Sequence, residues 1–266
     1  MNNHEIDYDI FGEEIQCVKI ELDPRETVIA EAGSLMFMDK DVDMNTIFGD
    51  GSGQNKGILG SLISAGKRVL TGESLFMTTY THNGEGKAHV FFAAPYPGKI
   101  LPFNLNEYNG KIICQKDAFL CAAKGVIVGI EFQKKIGAGL FGGEGFIMQK
   151  IEGDGMSFLH AGGTIIEKEL KIGDKLKVDT GCLVAFTTGV NYDIEFVGGI
   201  KNTFFGGEGL FFATLSGFGK VWIQSLPFSR LADKIIASSP NSGGKKKGEG
   251  SVLGNLGNMA MGDNRI

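Results

Sequence analysis

The chain has 266 residues and a mass of 28.5 kDa, with 42% apolar and 21% charged residues, and is long enough to bury a substantial core without disulfides or metals. A net charge of −5 and a pI near 5.5 disfavour binding to a polyanion through bulk electrostatics. The 41 glycines and 20 phenylalanines against 6 prolines point to many short strands joined by tight turns.

The first residues, MNNHEIDYDIFGEE, carry neither a basic nor an apolar segment of the secretory kind, so no leader is expected. Val18, Ile20 and Leu22 then alternate on one face of a strand, as Leu176 and Val178 do later. The four cysteines, Cys17, Cys114, Cys121 and Cys182, form no C-x-x-C pair, and each sits in an apolar run. They read as small buried hydrophobes with reduced thiols, which makes the cytoplasm the expected compartment. The weakly charged stretch 57–66 is too short and too Gly-rich to span a bilayer.

Three segments share a turn, an alternating strand and a small residue before a leucine: 23–35 (DPRETVIAEAGSL), 109–120 (NGKIICQKDAFL) and 172–183 (IGDKLKVDTGCL). Gly110 and Gly173 stand at matching turn positions, and Arg25 holds that place in the first segment. Each is followed by a second signature, GESLF (72–76), GGEGFI (142–147) or GGEGLF (206–211), which opens an apolar strand. Self-similarity at a fixed period predicts three internal repeats sharing one core, a single β domain over 1–238 divided at about 15–98, 99–162 and 163–228. Leu35, Leu120 and Leu183 are expected to close their strands buried. Glu73, Glu144 and Glu208 recur in the second signature, so pseudo-threefold symmetry sets three carboxylates at one height, as turn acceptors or as a cation ring.

The first repeat is the longest, and its excess falls in a Gly-rich insertion, 49–72, whose second half, Ile58 to Leu70, reads as a short helix. Ile58, Leu59, Leu62 and Ile63 followed by Lys67 and Arg68 make it a small amphipathic, basic segment. It suits peripheral membrane or partner contact, or capping of an open end of the β core. The runs 146–160 and 210–226 read as hairpins turning at Gly153/Gly155 and Gly217/Gly219. Arg230 to Ile236 reads as a helix with Leu231, Ile235 and Ile236 on its apolar side. Residues 239–266 are compositionally a flexible Gly/Lys-rich tail.

Catalytic and metal signatures are missing from this pattern. The GGEG elements lack the G-K-[ST] ending of a phosphate loop and lead into strands. His4, His82, His89 and His160 include no H-x-H pair and read as surface or strand-end residues. Ser34 lacks the second glycine of a nucleophile elbow. The basic cluster Lys245–Lys247 has no interleaved aromatics, so nucleic acid is a disfavoured partner. No catalytic residue, metal site or cofactor is expected.

The segments AEAGSLMFMD, KRVLTGESLF, APYPGKILPF and the two GGEG elements, in this order and spacing over residues 5–232, resemble the altered-inheritance-of-mitochondria (AIM-type) family. This is a family of uncharacterised bacterial and archaeal proteins related to a fungal mitochondrial biogenesis protein. The resemblance implies an all-β, TRAP-like fold, a double-stranded β-helix or β-sandwich prism of three repeats with pseudo-threefold symmetry, also found in the trp RNA-binding attenuation protein. It carries no catalytic or binding residues over, and RNA binding rests on that fold analogy alone. The expectation is a non-enzymatic assembly or interaction protein that forms a homo-oligomer. The alternative is a ligand- or lipid-binding module that uses the insertion 49–72, and an enzyme is disfavoured.

Overall fold

A computed structural model describes residues 3–48, 76–134, 146–196 and 211–238. They form an all-β protein with one α-helix and several antiparallel sheets.

The first strands are β1 (Asp7–Phe11), β2 (Cys17–Leu22), β3 (Thr27–Glu31), β4 (Leu35–Met38), β5 (Val42–Phe48), β6 (Phe76–His82) and β7 (Ala88–Ala93). Here β2 and β4 flank β7, while β3 and β5 flank β6. Next come β8 (Gly98–Asn104), β9 (Lys111–Gln115), β10 (Phe119–Ala123), β11 (Ile127–Lys134), β12 (Phe146–Glu152) and β13 (Met156–Gly162), with β8 and β10 flanking β13, and β9 and β11 flanking β12. The last are β14 (Ile165–Leu170), β15 (Lys175–Asp179), β16 (Leu183–Thr187), β17 (Val190–Phe196), β18 (Phe211–Gly217) and β19 (Gly219–Gln224), with β14 and β16 flanking β19, and β15 and β17 flanking β18. Two further ladders, β3–β10 and β9–β16, join these groups. Sheet I is therefore β1-β2-β7-β4, sheet II is β5-β6-β3-β10-β13-β8, sheet III is β11-β12-β9-β16-β19-β14 and sheet IV is β15-β18-β17.

Period-2 alternation decides which core each side chain fills. Val18, Ile20 and Leu22 of sheet I meet Val28, Ala30 and Tyr80 of sheet II. The opposite face of sheet II turns Ile29, Ala122 and Leu159 toward Ile112, Val128 and Trp222 of sheet III. Sheet III in turn packs Ile113, Leu183 and Val221 against Val178, Ala213 and Leu215 of sheet IV. Sheets II and III are thus covered on both faces, which is why β3 and β10 read as nearly continuous apolar runs.

The glycine-marked hairpins are corrected by the pairing. β12 and β13 share no ladder, nor do β18 and β19. Leu215 on β18 and Val221 on β19 pack into one core from facing sheets, so Gly217 (φ 97°) and Gly219 (φ 133°) turn the chain from one layer to the other. Besides β1–β2, the strands that pair with their immediate successors are β5 with β6, β11 with β12 and β17 with β18. Their connections, which contain Glu73, Glu144 and Glu208, the insertion 49–72 and the residues Ile58, Leu59, Leu62, Ile63, Lys67 and Arg68, lie outside the described residues, as does the tail 239–266.

The leucine alignment also shifts. A register irregularity falls between Leu35 and Phe37, between Phe119 and Cys121, and between Leu183 and Ala185. Phe119, not Leu120, therefore corresponds to Leu35 and Leu183, and it lies 64 residues before Leu183, the separation of Glu144 and Glu208. Leu120 and Leu183 are buried as expected, whereas Leu35 is only partly so. The turn expectation holds in form: Arg25 (φ 73°) and Gly173 (φ 95°) both take the left-handed conformation, and Asn109 (φ 56°) takes it beside Gly110 (φ 76°).

Two histidines expected at the surface are buried. His82 ends β6 with Nδ1 3.3 Å from the Asp41 carbonyl and Nε2 3.1 Å from that of Gly86. His160 has Nε2 3.0 Å from the Tyr96 carbonyl, and its Nδ1 has no hydrogen-bond partner among the described residues. Helix α1 (Phe228–Ser238) starts after Pro227, two residues before the expected start, and Arg230 reaches Asp179 at 3.3 Å. Ile235 and Ile236, expected on its buried side, are exposed. At the other end, the His4 N–H donates to the Lys124 carbonyl at 3.0 Å, and the Thr27 N–H donates to His4 Nδ1 at 2.9 Å.

Two outcomes follow from these burials. Leu183→Ala should destabilise by about 2–5 kcal/mol and Leu35→Ala by clearly less, measured as shifts in urea unfolding. Burial lowers the His160 pKa from 6.5 to about 4, so the unfolded chain binds this proton more readily than the native one between those values. Its contribution is present above pH 6.5 and is lost as pH falls toward 4, up to about 3 kcal/mol. The difference in unfolding free energy between wild type and His160→Gln, followed from pH 7 to 4, should show that loss.

Candidate interaction surface

One face of sheet I packs on sheet II; the other collects side chains from β1, β2, β7 and β4. Because Val18, Ile20, Leu22, Val90 and Phe92 point inward, Lys19, Glu21, His89 and Phe91 must point outward. The ladders line them up across the sheet. Asp9 pairs with Lys19, Lys19 with Phe91, and Phe91 with Phe37. Asp7 pairs with Glu21, and Glu21 with His89.

The surface divides into a polar and an aromatic half. In the polar half His89 Nε2 lies 3.3 Å from Glu21 Oε2 and its Nδ1 3.0 Å from Asp39 Oδ2, and the His89 N–H donates to the same Asp39 oxygen at 2.8 Å. Lys87 Nζ bonds to Glu21, and that ammonium, with His89, holds the Glu21 carboxyl below its ordinary range against some desolvation. In the aromatic half the Phe37 and Phe91 rings stack with centroids 4.2 Å apart, and Phe11 lies 6.2 Å from Phe91. Phe37 is 52% exposed and Met36 beside it 50%. A neighbouring cleft is lined by Glu5, Asp7, Glu21, Asp23 and Glu26. Lys87 reaches its Asp7 and Glu21 side, and Glu26 accepts from the Asp23 N–H at 2.9 Å.

The other reactive side chains serve the interior. Burial pushes the Cys114 and Cys121 thiols far up, so both stay protonated. Among the described residues no group of three or more His, Cys, Asp or Glu is placed to hold a metal ion, and no helix is long and apolar enough to cross a membrane. The residue pattern left Phe11, Phe37 and Phe91 unmarked and placed His89 at the surface, where it lies. The available signal was period 2 in AHVFFA, which sets His89 and Phe91 on one face and Val90 and Phe92 on the other.

The family model described as Mitochondrial biogenesis AIM24 matches residues 8–226. The chain belongs to this family. The match reaches from β1 to just past β19, so α1 lies outside the part shared with AIM24. An uncharacterised protein of Streptococcus pyogenes serotype M6 is 32% identical over 229 residues, 85% of this chain and 87% of that protein. The crystal structure of a protein from Streptococcus pyogenes matches with a TM-score of 0.68 and 24% identity, over 87% of this chain and 99% of that one. It shares the fold.

The exposed stack can be checked directly. Phe91→Ala should lower the fluorescence of a bound hydrophobic dye and cost about 0.5–1.5 kcal/mol of stability beyond the lost area, the size of one aromatic pair.

Proposed function

We propose that this AIM24 member is a non-enzymatic assembly protein that works by self-association. The observation that carries the reading is the exposure of Met36 and Phe37 on a strand at the edge of a sheet, next to the Phe37–Phe91 stack. Contiguous apolar surface on an edge strand is costly in water and is the usual mark of a contact site. The buried groups support the same reading, since His82 accepts from the Gly84 N–H at Nδ1 and has Nε2 3.1 Å from the Gly86 carbonyl, and the Cys114 and Cys121 thiols are held protonated.

The architecture we infer for it is a TRAP-like prism of three internal copies, as the sequence resemblance implies. Its support is the agreement of three pairing sets, β2–β7–β4 with β3–β6–β5, β8–β13–β10 with β9–β12–β11, and β14–β19–β16 with β15–β18–β17. Light scattering on the full chain at micromolar concentration tests the function. A mass above 28.5 kDa is expected, falling in Met36→Lys/Phe37→Lys while a cooperative melt is kept; a wild-type mass of 28.5 kDa alone overturns it.

A further inference from the structure

β4 and β15 are the two halves of one missing ladder. The ladder β10–β3 pairs Cys121 with Ala30, Ala122 with Ile29 and Ala123 with Val28, and β16–β9 pairs Ala185 with Cys114, Phe186 with Ile113 and Thr187 with Ile112. β4 stands in its own group where β10 and β16 stand in theirs, and β15 stands where β3 and β9 stand. Yet β4 closes sheet I and β15 closes sheet IV, each with one ladder among the described residues. Phe37 pairs with Phe91 just past its irregularity, as Cys121 does with Phe158 and Ala185 with Trp222. Carried over, that register sets Phe37 opposite Val178 and Met38 opposite Lys177.

Burial measures what the missing ladder leaves uncovered. At the closed junctions Leu120 is 2% and Val184 1% exposed, and Cys121 and Ala185 are both 0%. The corresponding Met36 and Phe37 are the half-exposed pair described above.

We propose that a second copy of this chain closes the junction, β4 of each copy pairing with β15 of the other; this rests on the assembly reading above and names its surface. The partner type is the one that covers β10 and β16. Exchange in both directions about a twofold axis pairs the β4 and β15 edges of both chains.

Single cysteines test the register in a Cys17→Ser background, which removes the partly exposed native thiol. Chains carrying Met38→Cys mixed with chains carrying Lys177→Cys should oxidise to a covalent species at twice 28.5 kDa, with neither variant forming it alone. Phe37→Lys should abolish that cross-link in the same background while keeping the parent's cooperative melt. Covalent dimer from Met38→Cys alone overturns the proposal in favour of β4 pairing with itself. An internal bridge without dimer in the Met38→Cys/Lys177→Cys chain overturns it in favour of closure within one chain. No cross-link in the mixture, while light scattering still reports an oligomer, overturns this surface and leaves the assembly reading standing; a chain of 28.5 kDa alone overturns both.

Discussion

The β3–β10 and β9–β16 ladders are three residue pairs each, and the rest of the molecule depends on them. Each turns two groups of strands into one six-stranded sheet, and each such sheet then has apolar layers on both faces. The side chains at a junction must therefore alternate between two cores within a few residues. Ala30 and Ile29 do so on β3, as Cys121 and Ala122 do on β10. On β10 the paired side chains, Cys121, Ala122 and Ala123, are all small, and a larger group on either face would meet a filled core.

The same constraint explains where polar chemistry is allowed. His160 lies inside because its Nε2 finds the Tyr96 carbonyl, and His82 because Nδ1 accepts from the Gly84 N–H and Nε2 lies 3.1 Å from the Gly86 carbonyl. Burial holds the His160 imidazole neutral, with its pKa lowered to about 4. Among the described residues the outward face of sheet I has no second layer, and there His89, Glu21, Lys87 and Asp39 form a network at the surface beside an exposed aromatic stack.

Much of the strand order was legible in the residues. Alternation in β2 and the turn positions at Arg25 and Gly173 were readable from the residues, and the run from Arg230 to Ile236 announced the helix. What escaped was partnership. A glycine turn between two apolar strands looks the same whether the second strand returns beside the first or crosses to the facing sheet, so 146–160 and 210–226 read as hairpins. Nothing local fixes the bulge that makes Phe119 the counterpart of Leu35. The candidate surface was hidden for a related reason. Phe91 beside Phe92 reads as doubled core, and its neighbours Phe37 and Phe11 are brought up by ladders across the sheet. The residues singled out for function, Glu73, Glu144, Glu208 and the segment from Ile58 to Arg68, lie outside the described residues.

The long reach of the junctions bears on how the chain is made. The edge of β3 is completed by β10, about 90 residues further along, and His4 is held by the carbonyl of Lys124. During synthesis a nascent chain that has emerged only as far as Ala93 has its first strands but neither partner, so the backbone edge of β3 stays open until the next group leaves the ribosome. The first group then serves as a template on which the second zips, and the second does the same for the third through β9 and β16. Folding by such distant pairings is slow and leaves strand edges bare for long intervals, which makes the pace of translation through residues 94–123 part of how the protein reaches its shape.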